Sequence, residues 1–586
     1  MPSKTTVDRR PGRGRCMIAA KNLGLGELIM AVQPLSAVLD QDHARAHCAS
    51  CFQAIVVQHG SGVGSRCSRC KRIWYCSRKC QKTDWREHAQ ECRVWSSTES
   101  GRTPTRTLRL AARILNSINR GGGGAGTGDD RGGNNSTARE AREAIDELVD
   151  HNGERSPEQR EEYMLMAAFV ARLCVAGSGG DRGDKTESST GPAAVSWPAA
   201  KGRGFAGMVD AAFAVLGKLS CNVFSVAGGA DGDIIGCGLY LEAATANHSC
   251  RPNASQSFDG KTLSLRCTRP IRRGEEITIA ITPIHMPGPL RRQSLRTSYF
   301  FECRCERCES PSGRAADDRL EAYACLDRNC SGICLLPTTH GGTLGDGSGS
   351  GGCVQQGDTP PLPQSDHAKA QKGERPGPED ASNIHREGED ERSLDLACAD
   401  ALQSKALVGA QEREKRGCRV LTCGTCGKVS RRVEDAQKES KGIDELLKRG
   451  KAFEQAGEML EARRCLEQSL GRAEKCLHRG NWVLSELYTS LATVCVGLQD
   501  FDAASEHATK GIDSSRDSLA ALLPNFEPWG HSLAFAGKLL LCIRQQPEKA
   551  MALLLEAESC FKVTHGVGHS RYASIRDLLD QARLSC

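Results

Sequence analysis

The residues best equipped for chemistry lie between positions 48 and 92, and they are soft metal ligands. They come as four close pairs: Cys48-x2-Cys51, Cys67-x2-Cys70, Cys76-x3-Cys80 and His88-x3-Cys92. Eight thiolate and imidazole donors suit two closed tetrahedral zinc sites with Zn–S bonds of ~2.3 Å. Full coordination by protein leaves no open position for substrate or water, so metal in this finger is read as structural. Tyr75 and Trp85 are expected to supply a minimal core, and metal must contribute most of the folding free energy of so short a segment. The plain alternative is a set of cysteines packed in a core.

A second group is Asn247-His248-Ser249-Cys250-Arg251-Pro252-Asn253, followed by Gly274-Glu275-Glu276-Ile277-Thr278-Ile279. The first run is a polar turn whose donors and acceptors can grip a ligand. The second is a turn opening into a strand. Cys303-x-Cys305-x2-Cys308 lies behind them. Further on, Cys325-x4-Cys330 and Cys423-x2-Cys426 look like two zinc knuckles that together form a ribbon. Closing such a ribbon across ~90 residues costs only slightly more than across a shorter loop. Cys334 and Cys418 are competing ligands there, and free or partly buried thiols are the alternative.

These groups need elements to hold them. Residues 1–47 alternate apolar and polar side chains around Gly24 and Gly26 and run through Leu28-Ile29-Met30-Ala31-Val32, which predicts short strands. From Thr105 to about Lys218 the pattern is helical, interrupted at 121–135 and 177–204 by Gly-, Ser- and charge-rich stretches expected to be mobile insertions. Strand signals return between Cys221 and Ile281. Residues 338–416 are rich in Gly, Pro, Ser and Asp and are expected to be disordered. From Ile443 onward the pattern is helical. Gly457 with Ala462, Gly497 with Ala503-Ala504, and Pro547 with Ala550 recur at ~40-residue spacing, as in paired-helix repeats of tetratricopeptide type. A plain helical bundle is the alternative.

The chain has 586 residues, thirty cysteines and a formal net charge of +6. That imbalance is too small to argue for nucleic acid or membrane by itself. No stretch approaches the ~18 apolar residues of a membrane span. The basic start, Met1 to Arg15, lacks the apolar run of a secretory signal, so reduced, metal-bound thiols in a soluble intracellular protein are expected.

The spacing Cys-Ser-x2-Cys-Gln-x3-Trp-x2-His-x3-Cys, from Cys76 to Cys92, resembles the MYND finger. The Asn-His-Ser-Cys turn, the Gly-Glu-Glu run and the Cys303 group together resemble a SET domain and its post-SET cysteine patch. Their order along the chain is that of the SET-and-MYND (SMYD) protein-lysine methyltransferases. Thr564-His565-Gly566-x2-His569-Ser570 is similar to a signature of that family's helical domain. The resemblance implies an α+β multidomain fold. A β-rich SET domain would be split into residues 1–47 and 221–282 by the finger (48–92) and a helical insert (93–220). The post-SET segment (283–310), the possible ribbon (323–430) and a tetratricopeptide-like helical domain (440–586) would follow.

It further implies interleaved zinc pairing, with Cys48, Cys51, Cys76 and Cys80 on one ion and Cys67, Cys70, His88 and Cys92 on the other. A third zinc would sit on Cys250, Cys303, Cys305 and Cys308. S-adenosylmethionine would be the cofactor, contacted by Asn247, His248, Asn222, Arg13, Gly14, His151 and Phe301. Tyr299 would line the lysine channel and share in catalysis. The chain departs from the family at Arg15 and Cys16, where an early Arg-Gly-Asn-Gly loop is expected, and it lacks a tyrosine placed slightly before His151. The largest departure is Ile281, which stands where active members carry a tyrosine whose hydroxyl orients the amine. Two readings follow: a methyltransferase acting on a histone or other protein, or a catalytically weak or silent scaffold. The resemblance implies a protein substrate, a proline-rich peptide partner for the finger, no membrane partner, a monomer, and residence in the nucleus or cytoplasm. The basic face formed by Arg66, Arg69, Lys71, Arg72, Arg78 and Lys79 could touch nucleic acid; a solvated surface is the plainer reading.

Overall fold

The computed structural model describes residues 3–97 (apart from 56, 59–60 and 63), 104–120, 134–176, 204–228, 232–336 (apart from 328) and 419–585 (apart from 520–522, 524 and 545). The expected insertions at 121–135 and 177–204 and the segment 338–416 lie outside the described residues, save for 134–135 and 204. Two compact units result, one built from residues 1–322 and 440–586, the other from 323–439.

In the larger unit, strands from before and after the finger pair with one another. Leu28–Val32 is antiparallel to Thr262–Cys267, which pairs in turn with Ala254–Asp259. Thr262–Cys267 alternates half-buried and buried residues, the period of a strand with one face on the core. Ser36–Leu39 and Val223–Ala227 flank Ile234–Leu239 in a second three-stranded sheet. Gly236 is required there, because a Cβ at that position would stand 2.4 Å from the Val38 carbonyl oxygen. One core joins the two sequence halves, with Met17, Ile29 and Phe52 packed among Ile235, Tyr240, Leu265 and Ile277.

The helix Arg106–Arg120 buries Leu110, Ala111, Ile114, Leu115 and Ile118, a stripe at helical spacing. That stripe covers Val38, Cys237 and Leu239 of the second sheet. Each fully buried Leu or Ile stabilises by about 1.5–3 kcal/mol, an upper figure given a compact unfolded chain. The opposite side carries Arg109 and Arg113, both buried, which reach the finger's helix Arg78–Ser97. Arg113 pairs with Glu91 at 2.7 Å and Asp84 at 3.3 Å, and Arg109 with Glu91 at 3.3 Å. Burial would raise the Glu91 carboxyl, but Arg113 and Arg109 hold it well below its ordinary range.

Toward the end of the chain, each helix packs on the next in sequence: Met459–Cys476, Trp482–Gly497, Phe501–Leu519, Glu527–Cys542, Pro547–Thr564 and Ser570–Ser585. Ala462, Ala504 and Ala550 occupy the fourth position of their helices, and all are fully buried. A small side chain at that register lets adjacent helices approach. Among the described residues, no helix is long and apolar enough to cross a membrane.

The second unit contains two short hairpins, Tyr323–Ala324 with Ile333–Cys334 and Val420–Thr422 with Val429–Arg432. A bridge between Cys334 and Cys423 ties one to the other.

Candidate active site and metal centres

In the hairpin Thr5–Arg10 and Gly14–Ala19, Gly14 pairs with Arg10 beside the turn and sits at φ +66°, a left-handed conformation that glycine adopts without strain. Asn247 lies in a two-residue strand parallel to Thr278–Ile279, which carries it against that hairpin. Its Nδ2 is 3.0 Å from the Arg15 carbonyl, 3.3 Å from that of Arg13, 3.3 Å from Cys16 Sγ and 2.9 Å from Glu276 Oε1. Glu276 also meets Arg13 Nε at 3.3 Å. Burial and the Glu276 carboxylate push the Cys16 thiol up, so it stays protonated. Sequence reasoning passed over Glu276 as part of an ordinary turn; the acidic pair before a strand was its only signal.

His248 is engaged at both ring nitrogens. The Ile281 N–H donates to Nδ1 at 3.2 Å, so the proton resides on Nε2, which lies 3.2 Å from Cys250 Sγ. Burial lowers its pKa to about 4, consistent with a neutral ring. The imidazole is therefore a strut between the strand end at Ile281 and the Cys250 cysteine group. Only its ring face and backbone are left for any ligand.

Ile281 packs with Tyr299 on the cluster of Cys250, Leu295, Cys303, Cys305 and Cys308. Tyr299 ends the helix Gly288–Tyr299 and donates its hydroxyl to the Ile281 carbonyl at 3.1 Å. The next residue, Phe300, is left-handed at φ +59° and stacks on His151, itself at φ +51°, with ring centroids 5.1 Å apart. Phe301 turns the other way, 36% exposed and 6.3 Å from the His248 ring. Arg15 bridges from the hairpin to Glu147 at 2.9 Å, beside the His151 turn. The hairpin, Asn247, His248, Ile281, Tyr299 and the aromatic pair are thus joined by direct contacts. Asn222 is set apart: its amide donates to its own helix at Lys218 O, while the neighbouring Cys221 Sγ contacts Ser298 O.

Among the described residues, the expected ligands gather into four groups: Cys48, Cys51, Cys76 and Cys80; Cys67, Cys70, His88 and Cys92; Cys250, Cys303, Cys305 and Cys308; and Cys325, Cys330, Cys423 and Cys426. A tetrahedron of ~2.3 Å Zn–S bonds has sulfurs ~3.8 Å apart along each edge. The observed separations include Cys51–Cys76 at 3.7 Å, Cys67–Cys92 at 3.7 Å, Cys250–Cys303 at 3.9 Å and Cys250–Cys308 at 3.7 Å. These groups fit zinc. His88 presents Nε2 toward Cys70 at 3.4 Å and Nδ1 toward Glu91 at 3.6 Å, the outer carboxylate that commonly orients a ligand histidine. The finger's core corrects one expectation. Trp85 is 45% exposed, and Trp95 is buried instead, with Tyr75 and Ile73. The helix continues past Cys92, and only that extension brings Trp95 back over the metal ligands.

Behind Cys250, Arg291 and Arg307 are fully buried and share Asp317, at 2.6 and 2.7 Å. Arg291 Nε also donates to Cys250 Sγ at 3.2 Å. A cationic donor offsets the excess negative charge of four thiolates. Nothing in the sequence singled out this triad.

A cavity of about 330 Å³ adjoins the same strand end. Ala280, Thr282 and Ile284 form one wall, with Arg251 and Arg269, and Leu523, Phe526 and Pro528 form the other. Glu527 faces the cavity and also His531 and His565, at 3.5 and 3.6 Å. These three have the chemistry of metal ligands but are otherwise committed. Arg571 Nη1 lies 3.1 Å from His531 Nδ1, and Arg266 and Arg571 both bring positive charge against His565. We read them as an electrostatic tie within the helical region.

A profile of the MYND finger matches residues 48–92. The chain is 26% identical over 341 residues to histone-lysine N-methyltransferase ASHR1 of Arabidopsis thaliana, covering 56% of this chain and 60% of that protein. It is 27% identical over 300 residues to N-lysine methyltransferase SMYD2 of Homo sapiens, covering 51% and 58%, respectively. To histone-lysine N-methyltransferase SMYD3 of Homo sapiens it is 28% identical over 300 residues, covering 51% and 60%. The chain thus spans about three-fifths of the length of the curated relatives it matches.

Proposed function

Because this chain belongs to the SET-and-MYND family, we propose that it is an S-adenosylmethionine-dependent protein-lysine N-methyltransferase. One observation carries the reading: the hairpin at Gly14, Asn247, His248, the Ile281 strand end and the Tyr299–Phe301 turn form one contact network closed by a four-cysteine group. The residues suit the cofactor. Gly14 has open space where a Cβ would stand, so a ligand can approach the backbone, and the Phe301 ring is partly exposed beside a neutral His248. Gly14, Asn247, the His248 ring face and Phe301 would hold it, with His151 bordering; Asn222 would contribute through the end of its helix.

When bound, S-adenosylmethionine supplies an electrophilic methyl group on a sulfonium. The chain's own residues orient and screen. With its proton given to the Ile281 carbonyl, the Tyr299 oxygen keeps lone pairs that can accept an N–H from a substrate amine. The half-buried Ile281 and the exposed Phe301 ring offer apolar surface that disfavours an ammonium, promoting the neutral amine needed for attack. Alignment of amine and methyl then supplies much of the acceleration. The cavity beside Ala280 and Thr282 would take the substrate polypeptide. Three zinc ions, two in the finger and one on the Cys250 group, would stabilise the frame.

Ile281 favours a second reading, a catalytically weak or silent scaffold that works through the finger and the paired helices. Transfer of labelled methyl to histones and to a protein extract separates the two. Label on a protein lysine, lost with Tyr299→Phe, is expected; cofactor binding without any transfer would establish the scaffold.

A further inference from the structure

We propose that Cys325, Cys330, Cys423 and Cys426 hold a zinc ion of their own, and that it is the metal this chain surrenders first. Their ligand atoms lie within 4.8 Å of one another. Cys325–Cys426 and Cys330–Cys423 sulfurs are 3.6 and 3.7 Å apart, close to the ~3.8 Å edge of a zinc tetrahedron and far from the ~2.05 Å of a disulfide. The backbone is shaped around the sulfurs. A Cβ on Gly332 would stand 2.5 Å from Cys423 Sγ, and the Gly332 N–H points to Cys330 Sγ at 3.4 Å. Gly427, at φ +69°, turns the chain so that its N–H returns to the Cys423 carbonyl at 3.0 Å. Cys334 is bridged to Cys423 through the backbone, yet it is not among the four.

The unit around this group has little else to hold it. Tyr323, Cys334, Leu421, Cys423, Val433 and Ala436 are its buried apolar residues among those described. So small a core needs a metal.

Retention differs between the sites. The Cys250 ligands are all buried, and their sulfurs receive N–H groups from Arg291, His248 and the Cys250 backbone. In the ribbon, Cys426 is exposed and Cys325 and Cys330 are half-buried. Solvent and a chelator reach those sulfurs directly. The nearest competitor is the first finger site, where Cys51, Cys76 and Cys80 are half-buried around a buried Cys48.

The full chain, purified with zinc and challenged with a chromogenic chelator, tests this. Four zinc equivalents are expected, one leaving in a separate fast phase. Cys426→Ser should carry three and lose that phase, whereas Cys76→Ser should keep it. In the wild-type chain, alkylation during the first equivalent of release should label the Cys325, Cys330, Cys423 and Cys426 peptides before those of the finger. That readout holds even where a variant fails to fold. Three equivalents in the wild type, a fast phase that survives Cys426→Ser, or earlier labelling of the finger would overturn the proposal. None of these outcomes depends on methyl transfer.

Discussion

Ile281 meets three fixed groups: its N–H goes to His248, its carbonyl takes the Tyr299 hydroxyl, and its side chain lies on the Cys250 group. On the proposed methyltransferase reading, the backbone that would present a tyrosine hydroxyl at this position is therefore in place. Ile281→Tyr is expected to raise methyl transfer at least tenfold, about 1.4 kcal/mol of barrier, in a radiolabel assay at saturating cofactor. No gain would shift attention to Arg15 and Cys16 in the hairpin turn. Tyr299→Phe removes the oxygen while keeping the ring. It should lower kcat by tenfold or more and move the melting temperature little, since one hydrogen bond is worth about 1 kcal/mol. An equal loss of stability and activity would mark Tyr299 as merely structural.

At the scale of elements, buried charge links pieces that hydrophobic patterning leaves unassigned. Asp317, on the helix Pro311–Leu320, bridges two arginines whose side chains have no exposed surface. Asp317→Asn strands that charge, and a loss of about 3–5 kcal/mol is expected, measured as a shift in chemical denaturation. The finger makes a sharper comparison. Trp95→Ala should cost about 3–5 kcal/mol because the ring is buried over the ligands, whereas Trp85→Ala should stay within about 0.5 kcal/mol. Equal effects would mean that the helix beyond Cys92 contributes nothing to the finger. The alternation at Thr262–Cys267 and the stripe from Leu110 to Ile118 were legible in the sequence, because period alone selects strand or helix. Trp95 was not, because its burial depends on how far a helix continues.

At the scale of the whole molecule, histidines tie the helical region to the β-rich part. His569 Nε2 lies 2.9 Å from the Phe258 carbonyl, and His565 is buried beside His569, His531, Arg571, Arg266 and Glu527. Burial and those cationic neighbours hold the His565 pKa down to about 2, and burial lowers that of His569. The sign follows from proton uptake. Unfolded histidine takes a proton near pH 6.5, whereas the folded ring resists until near 2, so stability falls as pH falls through that window. The slope for His565 approaches about 1.4 kcal/mol per pH unit below 6.5. Melting temperature should drop steadily from pH 7 to 5, and less steeply in His565→Gln; identical slopes would place the acid sensitivity elsewhere.

The sequence by itself determined the ligand pairs that gather into metal-binding groups, since ligand spacing is local and few residue types bind zinc. It also showed that residue 281 carries no hydroxyl, because that is a matter of side-chain identity. What only the tertiary structure decided was partnership. Which strands cross the finger to pair, which nitrogen of His248 carries the proton, and how Arg291 and Arg307 share Asp317 all depend on contacts between distant segments. Those contacts are selected by packing and desolvation, which no local pattern encodes.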